Sequence, residues 1–390
     1  NGAFLTGDLF NLFVFFEIML LASYALLAQT GGLARTRAGI TYVVLNLLGS
    51  SLFLIALGLL YATLGTLNLA DVAYRLSLPA MPPSGARLAL ALLCAVFVLK
   101  AALLPLSFWL PHTYAAAPAP VAALFAIMTK VGIVSLLRLQ VIAIEPAYPD
   151  LLYGWLSTLA LATVLYAVLG ALAAKDMKTL SAWLVLLSAG TLLLVPAQAS
   201  AEISAAGLFY LAHSSFAGAA CFLLAELIGE QRGAAGDSFS TGANRLPAWS
   251  GIAFIVLAMT LAGLPPFSGF LGKLMLLNTL RGVEAGVAMW TILLLAAFLV
   301  TMALARAGSI LIWENGPGET PSPARLAAHI GWRRLAATLC LIAAGPLLAV
   351  FAQPVSGYAQ RTAAQLHDTR AYIHGVLGND PATIRRERRE

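Results

Sequence analysis

Four ionisable side chains interrupt stretches that otherwise carry almost no charge: Glu17, Lys100, Lys130 and Lys273. The chain has 390 residues with 18 arginines but only five lysines, and three of those five lie inside apolar runs. The other two, Lys175 and Lys178, flank Asp176 in a loop and read as interfacial. A lysine or a carboxylate at mid-membrane costs about 2.5–3.5 kcal/mol on insertion scales, so four of them facing lipid would cost on the order of 10 kcal/mol. They must therefore face a bundle interior, paired or hydrated. A buried lysine changes protonation state readily, because desolvation disfavours its charge while a nearby carboxylate restores it. Glu17 with Lys100 is the candidate pair for a two-state proton switch, and Lys130 and Lys273 are candidate relay points.

His213, in Tyr210-Leu211-Ala212-His213-Ser214-Ser215, also falls within an apolar run. A neutral imidazole can pass a proton between its two nitrogens. A histidine satisfied by a neighbouring carbonyl is the structural alternative, and the residue pattern leaves both open. His112, in Trp109-Leu110-Pro111-His112, reads as a loop residue, and Glu226 and Glu230 as interfacial ones. Cys94, Cys221 and Cys340 are far apart, and His329, His367 and His374 form no metal-ligand spacing. There is no Walker loop, dinucleotide fingerprint, haem or iron–sulfur pattern, so no cofactor or metal is expected. With Glu17 the only carboxylate placed deep in the membrane, the chemistry points to protons rather than to a caged metal cation.

The elements that must carry these groups follow from composition. Hydrophobic residues make up 60% and charged residues 10%, with a mean hydropathy of +0.87, which excludes a soluble globular domain, a disordered chain and a nucleic-acid binder. A helix needs about 20 apolar residues to span the hydrocarbon. Ten such runs are present, at about 8–29, 38–62, 87–109, 116–140, 150–173, 179–197, 203–229, 249–280, 286–312 and 333–354. Because the bilayer core supplies no water to backbone groups, these runs must be helices, giving an all-α polytopic membrane protein. Arg35, Arg37, Lys175, Lys178, Arg232, Arg245, Arg306, Arg325, Arg333 and Arg334 cluster in one set of loops, which is assigned to the cytoplasm. The other set has only Arg75, Arg87, Arg138 and Arg281, although Arg385, Arg386, Arg388 and Arg389 make the tail on that side basic.

Two spans are interrupted, the third by Leu104-Pro105-Leu106 and the eighth by Gly263-Leu264-Pro265-Pro266-Phe267-Ser268-Gly269. They are five helices apart, an odd number, so a repeat relating them is inverted in the membrane. Broken helices at matching positions point to a transport site near the midplane. The expected organisation is a first repeat over 1–149, incomplete at its N-terminus, a second over 150–312, a loop and final helix over 313–354, and a polar tail over 355–390. The opening Asn-Gly, so close to a membrane helix, suggests that upstream sequence is missing.

The stretch from Gly7-Asp8-Leu9-Phe10-Asn11-Leu12-Phe13-Val14-Phe15-Phe16-Glu17 to Leu21-Ala22-Ser23-Tyr24 closely resembles the glutamate helix of the D-type subunit of Mrp-type (Mnh, Pha) multisubunit cation/proton antiporters. Lys100, Trp109-Leu110-Pro111, Ala117-Pro118-Ala119-Pro120 and Thr129-Lys130 resemble the paired-lysine helices of the superfamily, and Gly263-Leu264-Pro265-Pro266 to Gly272-Lys273 its terminal-lysine helix. The superfamily includes the antiporter-like subunits of respiratory complex I. The resemblance implies about fourteen helices in two inverted five-helix repeats, with the first three helices and most of the fourth absent here. It implies that Glu17 and Lys100 form a coupling pair, with Lys130 the central proton carrier, Lys273 the terminal one and His213 on the axis between them. It also implies partner subunits, transport of Na⁺ or K⁺ against protons, and a bacterial inner-membrane location. A proton-pumping subunit of complex I or of a membrane-bound hydrogenase is the alternative. Where several relatives place a further lysine a turn after the histidine, this chain has Ala217-Gly218, so water would have to complete the axis there.

Overall fold

The computed structural model describes residues 1–29, 31–78, 84–152, 154–240, 246–283, 285–313 and 331–378. Arg245, Arg325 and the arginines between 385 and 389 lie outside the described residues, as do Pro79 and most of the loop before the last span. Among the described residues there are helices and no strands. After a short turn of helix, α1 (Gly2–Leu5), the chain forms α2 (Leu9–Ala28), α3 (Leu33–Leu64), α4 (Leu69–Leu76), α5 (Ser84–Lys100), α6 (Trp109–Ala116) and α7 (Ala119–Leu139). There follow α8 (Trp155–Ala173), α9 (Met177–Gln198), α10 (Ala201–Arg232), α11 (Ala248–Ala262), α12 (Ser268–Thr279) and α13 (Gly286–Gly308). The last three are α14 (Trp332–Val350), α15 (Ala352–His367) and α16 (Thr369–Leu377).

Eight helical stretches are long and apolar enough to cross a membrane. They correspond to eight of the ten expected spans, and the remaining two are the proline-interrupted ones, each divided into a pair of shorter helices: α5 with α6, and α11 with α12. The divided helices are tolerated because they are packed by neighbours rather than by lipid. The amide of Leu104, freed where α5 stops, donates to Thr163 Oγ1 of α8 at 3.0 Å.

One capping device recurs at opposite ends of the bundle. Asp8 caps α2 by accepting from the Asn11 amide, and Asp176 caps α9 by accepting from the Thr179 amide. Each is also pinned by a short antiparallel bridge, Asp8 to Asn68 and Asp176 to Ser238. These helices are the first and sixth spans, five apart like the two broken ones, and α3 runs from the Asp176 end to the Asp8 end.

Arg232 organises the Asp176 end. It is only 2% exposed, and its guanidinium donates to the carbonyls of Gly236, Ser238 and Ser240. That curls residues 233–240 back over the bundle, where the Phe239 amide reaches the Lys175 carbonyl and the Lys178 amide reaches Asp237. Arg306 adds a bond to the Ala174 carbonyl. The loops carrying most of the described basic residues thus gather at this one end.

The C-terminal segment departs from the expected polar tail. The final span kinks at Phe351 and continues as α15, and α14 and α15 together lie along α10. Arg334 pairs with Glu230 at one end of that contact, and His367 meets Ser204 at the other. The physical reason is a pair of small residues one turn apart, Ala359 and Ala363, which are buried and let α15 approach closely despite its polar composition. Beyond it α16 packs on α4, and Tyr372 packs against the apolar core.

Replacing Arg232 with Met should free residues 233–240. The expected result is faster limited proteolysis of that loop and a loss of about 1–3 kcal/mol in stability, because three carbonyls lose a charged donor. An unchanged cleavage rate would refute the clamp.

Candidate functional site

The interior of the bundle carries Glu17, Lys100, Lys130, His213 and Lys273, and each sits where a local feature of the chain supplies a neutral partner. Lys100 is the last residue of α5, where the helix dipole favours a cation. It is 6% exposed, and its Nζ donates to Asn46 Oδ1 of α3 at 3.4 Å and lies 5.8 Å from the Phe16 ring centroid. Glu17 accepts from the Ser50 hydroxyl of the same helix. Asn46 and Ser50 are one turn apart, so a single polar face of α3 stands between the carboxylate and the ammonium.

Direct pairing of Glu17 with Lys100 is therefore not what the structure has. Among the described residues the ion pairs are Arg75–Asp71 and Arg334–Glu230, both at bundle ends. Asn46 and Ser50 are site residues that the sequence alone does not single out. Their signal is present, since they are the i and i+4 positions of an otherwise apolar span, but a lone amide and hydroxyl have no distinctive chemistry until a charge lies opposite.

Lys130, in α7, is fully buried and donates to Ser188 Oγ of α9 at 3.0 Å. Two residues on, Gly132 lets α7 close on the end of α5: a Cβ there would stand 3.1 Å from Lys100 Cβ and 3.3 Å from the Ala101 amide. Lys100 and Lys130 thus belong to one helix contact.

The second cluster is built around the other break. α11 ends at Ala262, and Gly263 takes φ +82°, a turn that an L side chain rarely adopts. The carbonyls of Leu261 and Ala262 accept from Lys273 Nζ at 3.1 and 2.8 Å. α12 starts at Ser268, whose hydroxyl meets His213 Nδ1 at 2.9 Å. Gly269 allows the close approach, since a Cβ there would be 2.0 Å from the Thr260 carbonyl and 3.0 Å from His213 Cε1. At Gly218, Val185 and Ala126 occupy the space a longer side chain would need, with a Cβ falling 3.2 Å from Val185 Cγ2.

A cavity of about 950 Å³ opens at the basic end of the bundle, lined by Arg37, Thr41, His112, Asp176, Lys178 and Asp237 among others. His112 is exposed on its wall. Asp237 lies in the loop outside the spans, and burial holds its carboxyl above the ordinary range. Trp109 Nε1 and Thr113 Oγ1, which belong to cavity-lining residues, are buried and have no hydrogen-bond partner among the described residues. The same holds for Ser107 Oγ in the break after Lys100 and for Thr129 Oγ1 beside Lys130. Buried polar groups of this kind take their partners from water. No group of His, Cys, Asp and Glu able to hold a metal occurs among the described residues.

Replacing Asn46 with Leu should cost about 1–3 kcal/mol, since it leaves a buried ammonium short of an acceptor. Ser51→Ala, on the exposed face of the same helix, should cost less than about 0.5 kcal/mol. Thermal unfolding of the detergent-purified protein compares the two; equal effects would mean that Asn46 does not hold Lys100.

The sequence profile of the NADH:quinone oxidoreductase/Mrp antiporter transmembrane family matches residues 6–303. The chain is 37% identical over 401 aligned residues to the D-type subunit of a probable K⁺/H⁺ antiporter of Rhizobium meliloti, covering 94% of this chain and 73% of that protein. It is 34% identical to the D-type subunit of the Na⁺/H⁺ antiporter of Bacillus subtilis, covering 97% and 75%. Its backbone superposes on a chain of the Mrp complex from Dietzia sp. with a TM-score of 0.82 at 29% identity, covering 97% of this chain and 78% of the other. With a profile match over most of its length and an interior of broken helices around buried lysines, the chain belongs to the NADH:quinone oxidoreductase/Mrp antiporter transmembrane family.

Proposed function

We propose that this protein is the D-type component of a multisubunit Na⁺/H⁺ or K⁺/H⁺ antiporter. In this reading protons pass along Glu17, Lys100, Lys130, His213 and Lys273 while the assembled complex exports the cation. The observation that carries it is the nature of the partners: Lys100, Lys130 and Lys273 are held by an amide oxygen, a hydroxyl and two backbone carbonyls, all neutral. A static salt bridge would lock a lysine in its charged form. Neutral acceptors leave the protonation state open to the neighbouring charges. Two unit charges about 10 Å apart at an effective dielectric of 20 interact by roughly 1.7 kcal/mol, more than tenfold in proton occupancy. A proton moving onto one lysine therefore makes the next less able to hold its own.

The cavity at the basic end supplies access. Its unpartnered polar atoms at Trp109 and Thr113, with Ser107 and Thr129 beside the lysines, support a hydrated path from that face to Lys100 and Lys130. Ser268 on His213 supports transfer onward to Lys273. The protein is a transporter component and not itself an enzyme, and its partners are the other subunits of the complex. The antiporter names of the similar proteins from Rhizobium meliloti and Bacillus subtilis favour this reading over a proton-pumping subunit of a redox complex.

The complete operon, expressed in a host lacking its own antiporters, should give everted vesicles whose pH gradient collapses on addition of Na⁺ or K⁺. Glu17→Ala, Lys100→Ala, Lys130→Ala and Lys273→Ala should each slow this exchange by roughly a hundredfold. Ser268→Ala should have a smaller effect, because it only releases the ring that His213 presents. Wild-type exchange in all four alanine variants, with normal assembly, would sink the relay, and absence of cation-dependent exchange in the wild type would sink the antiporter assignment.

A further inference from the structure

Lys273 has a second neighbour that proton transfer does not require. A cavity of about 280 Å³ lies beside it, between α9, α10, α12 and α13. Apart from Lys273, Thr191 and Tyr210, the lining is apolar or aromatic. Leu274 and Leu294, at its rim, are 39% and 51% exposed, and they lie on faces of α12 and α13 that the bundle leaves to lipid. The cavity therefore opens sideways into the membrane. Lys273 lines this space and is only partly buried.

The donors of the Lys273 ammonium are incompletely used. An ammonium has three N–H groups. The Leu261 and Ala262 carbonyls take two of them, and no third acceptor and no carboxylate within ion-pair distance occurs among the described residues. An apolar slot open to lipid with a cation in its lining is complementary to one kind of molecule, an amphiphile with a single apolar chain and a small anionic head.

We propose that this cavity binds a single-chain carboxylic acid from the membrane, its chain lying between α12 and α13 and its carboxylate on the Lys273 ammonium. The choice of acid over phospholipid follows from depth and size. A phosphodiester headgroup is permanently charged and would have to be dragged into the hydrocarbon with two chains attached. A carboxylic acid crosses the hydrocarbon neutral. If it meets Lys273 as the amine it transfers its proton to Nζ, creating charge only as a pair, and in either case its carboxylate accepts the third N–H of the ammonium. On the relay reading above, such an occupant holds Lys273 protonated and stops the last transfer. The site itself does not depend on that reading.

The test uses the assembled complex in membranes, with a medium-chain fatty acid carrying a terminal diazirine as the probe. Photolysis followed by peptide mapping should place the label on Leu274, Trp290 and Leu294. Unlabelled decanoic acid should compete and its methyl ester should not. Lys273→Gln should lower labelling about tenfold, equivalent to a loss of roughly 1.4 kcal/mol. Lys273→Arg should retain it, and Ala297→Trp, which fills the slot, should abolish it. Co-purification of the partner subunits checks the assembly of each variant. Equal competition by the ester, or label spread evenly over the lipid-facing helices, overturns the proposal in the wild type alone; undiminished label in assembled Lys273→Gln or Ala297→Trp overturns it as well. Labelling reports the site and cation exchange reports the relay, so either can fail without the other.

Discussion

A buried ammonium needs acceptors, and in this bundle the interruptions of two helices help to provide them. An unbroken membrane helix commits its carbonyls to its own amides and has none to offer at mid-depth. Where α11 stops at Ala262, the carbonyls of Leu261 and Ala262 are released and turn to Lys273. Where α5 stops, Lys100 is itself the terminal residue and lies at the electronegative end of its helix. Lys130 sits on an intact helix and relies instead on Ser188 across the α7–α9 contact.

The rest of the architecture serves to offset the free-energy cost of those interruptions. Thr163 takes up the Leu104 amide, Gly132 brings α7 against the α5 terminus, and Gly269 seats the start of α12 under the Thr260 carbonyl. α14 and α15 lie along α10, the helix that carries His213, from Glu230 near one end to Ser204 near the other. The capping of α2 and α9 by Asp8 and Asp176, with a matching bridge at opposite ends, is the local trace of the inverted relation between spans five apart.

The choice of partners has a chemical consequence. Asn46, Ser50, Ser188 and Ser268 are neutral, and they hold the ionisable groups by hydrogen bonds without an opposing charge. The polar face of α3 stands between Glu17 and Lys100 and gives each group a neutral partner.

Much of this was legible in the chain. Ten spans, the two proline breaks and the scarcity of lysine follow from hydropathy and spacing, because the bilayer leaves a polar residue or an interrupted helix few places to be. The shape of the C-terminal segment was not legible, since the packing of α15 rests on two alanines whose significance depends on α10 lying opposite. Nor were the partners of the lysines, which are common residue types from α3, α9, α11 and α12, distant in sequence from the groups they hold. By itself the sequence determined which residues could not face lipid, because that cost belongs to each residue alone. What each of them faces instead was decided only by the tertiary structure, because a hydrogen bond is a property of two groups and the fold chooses the second.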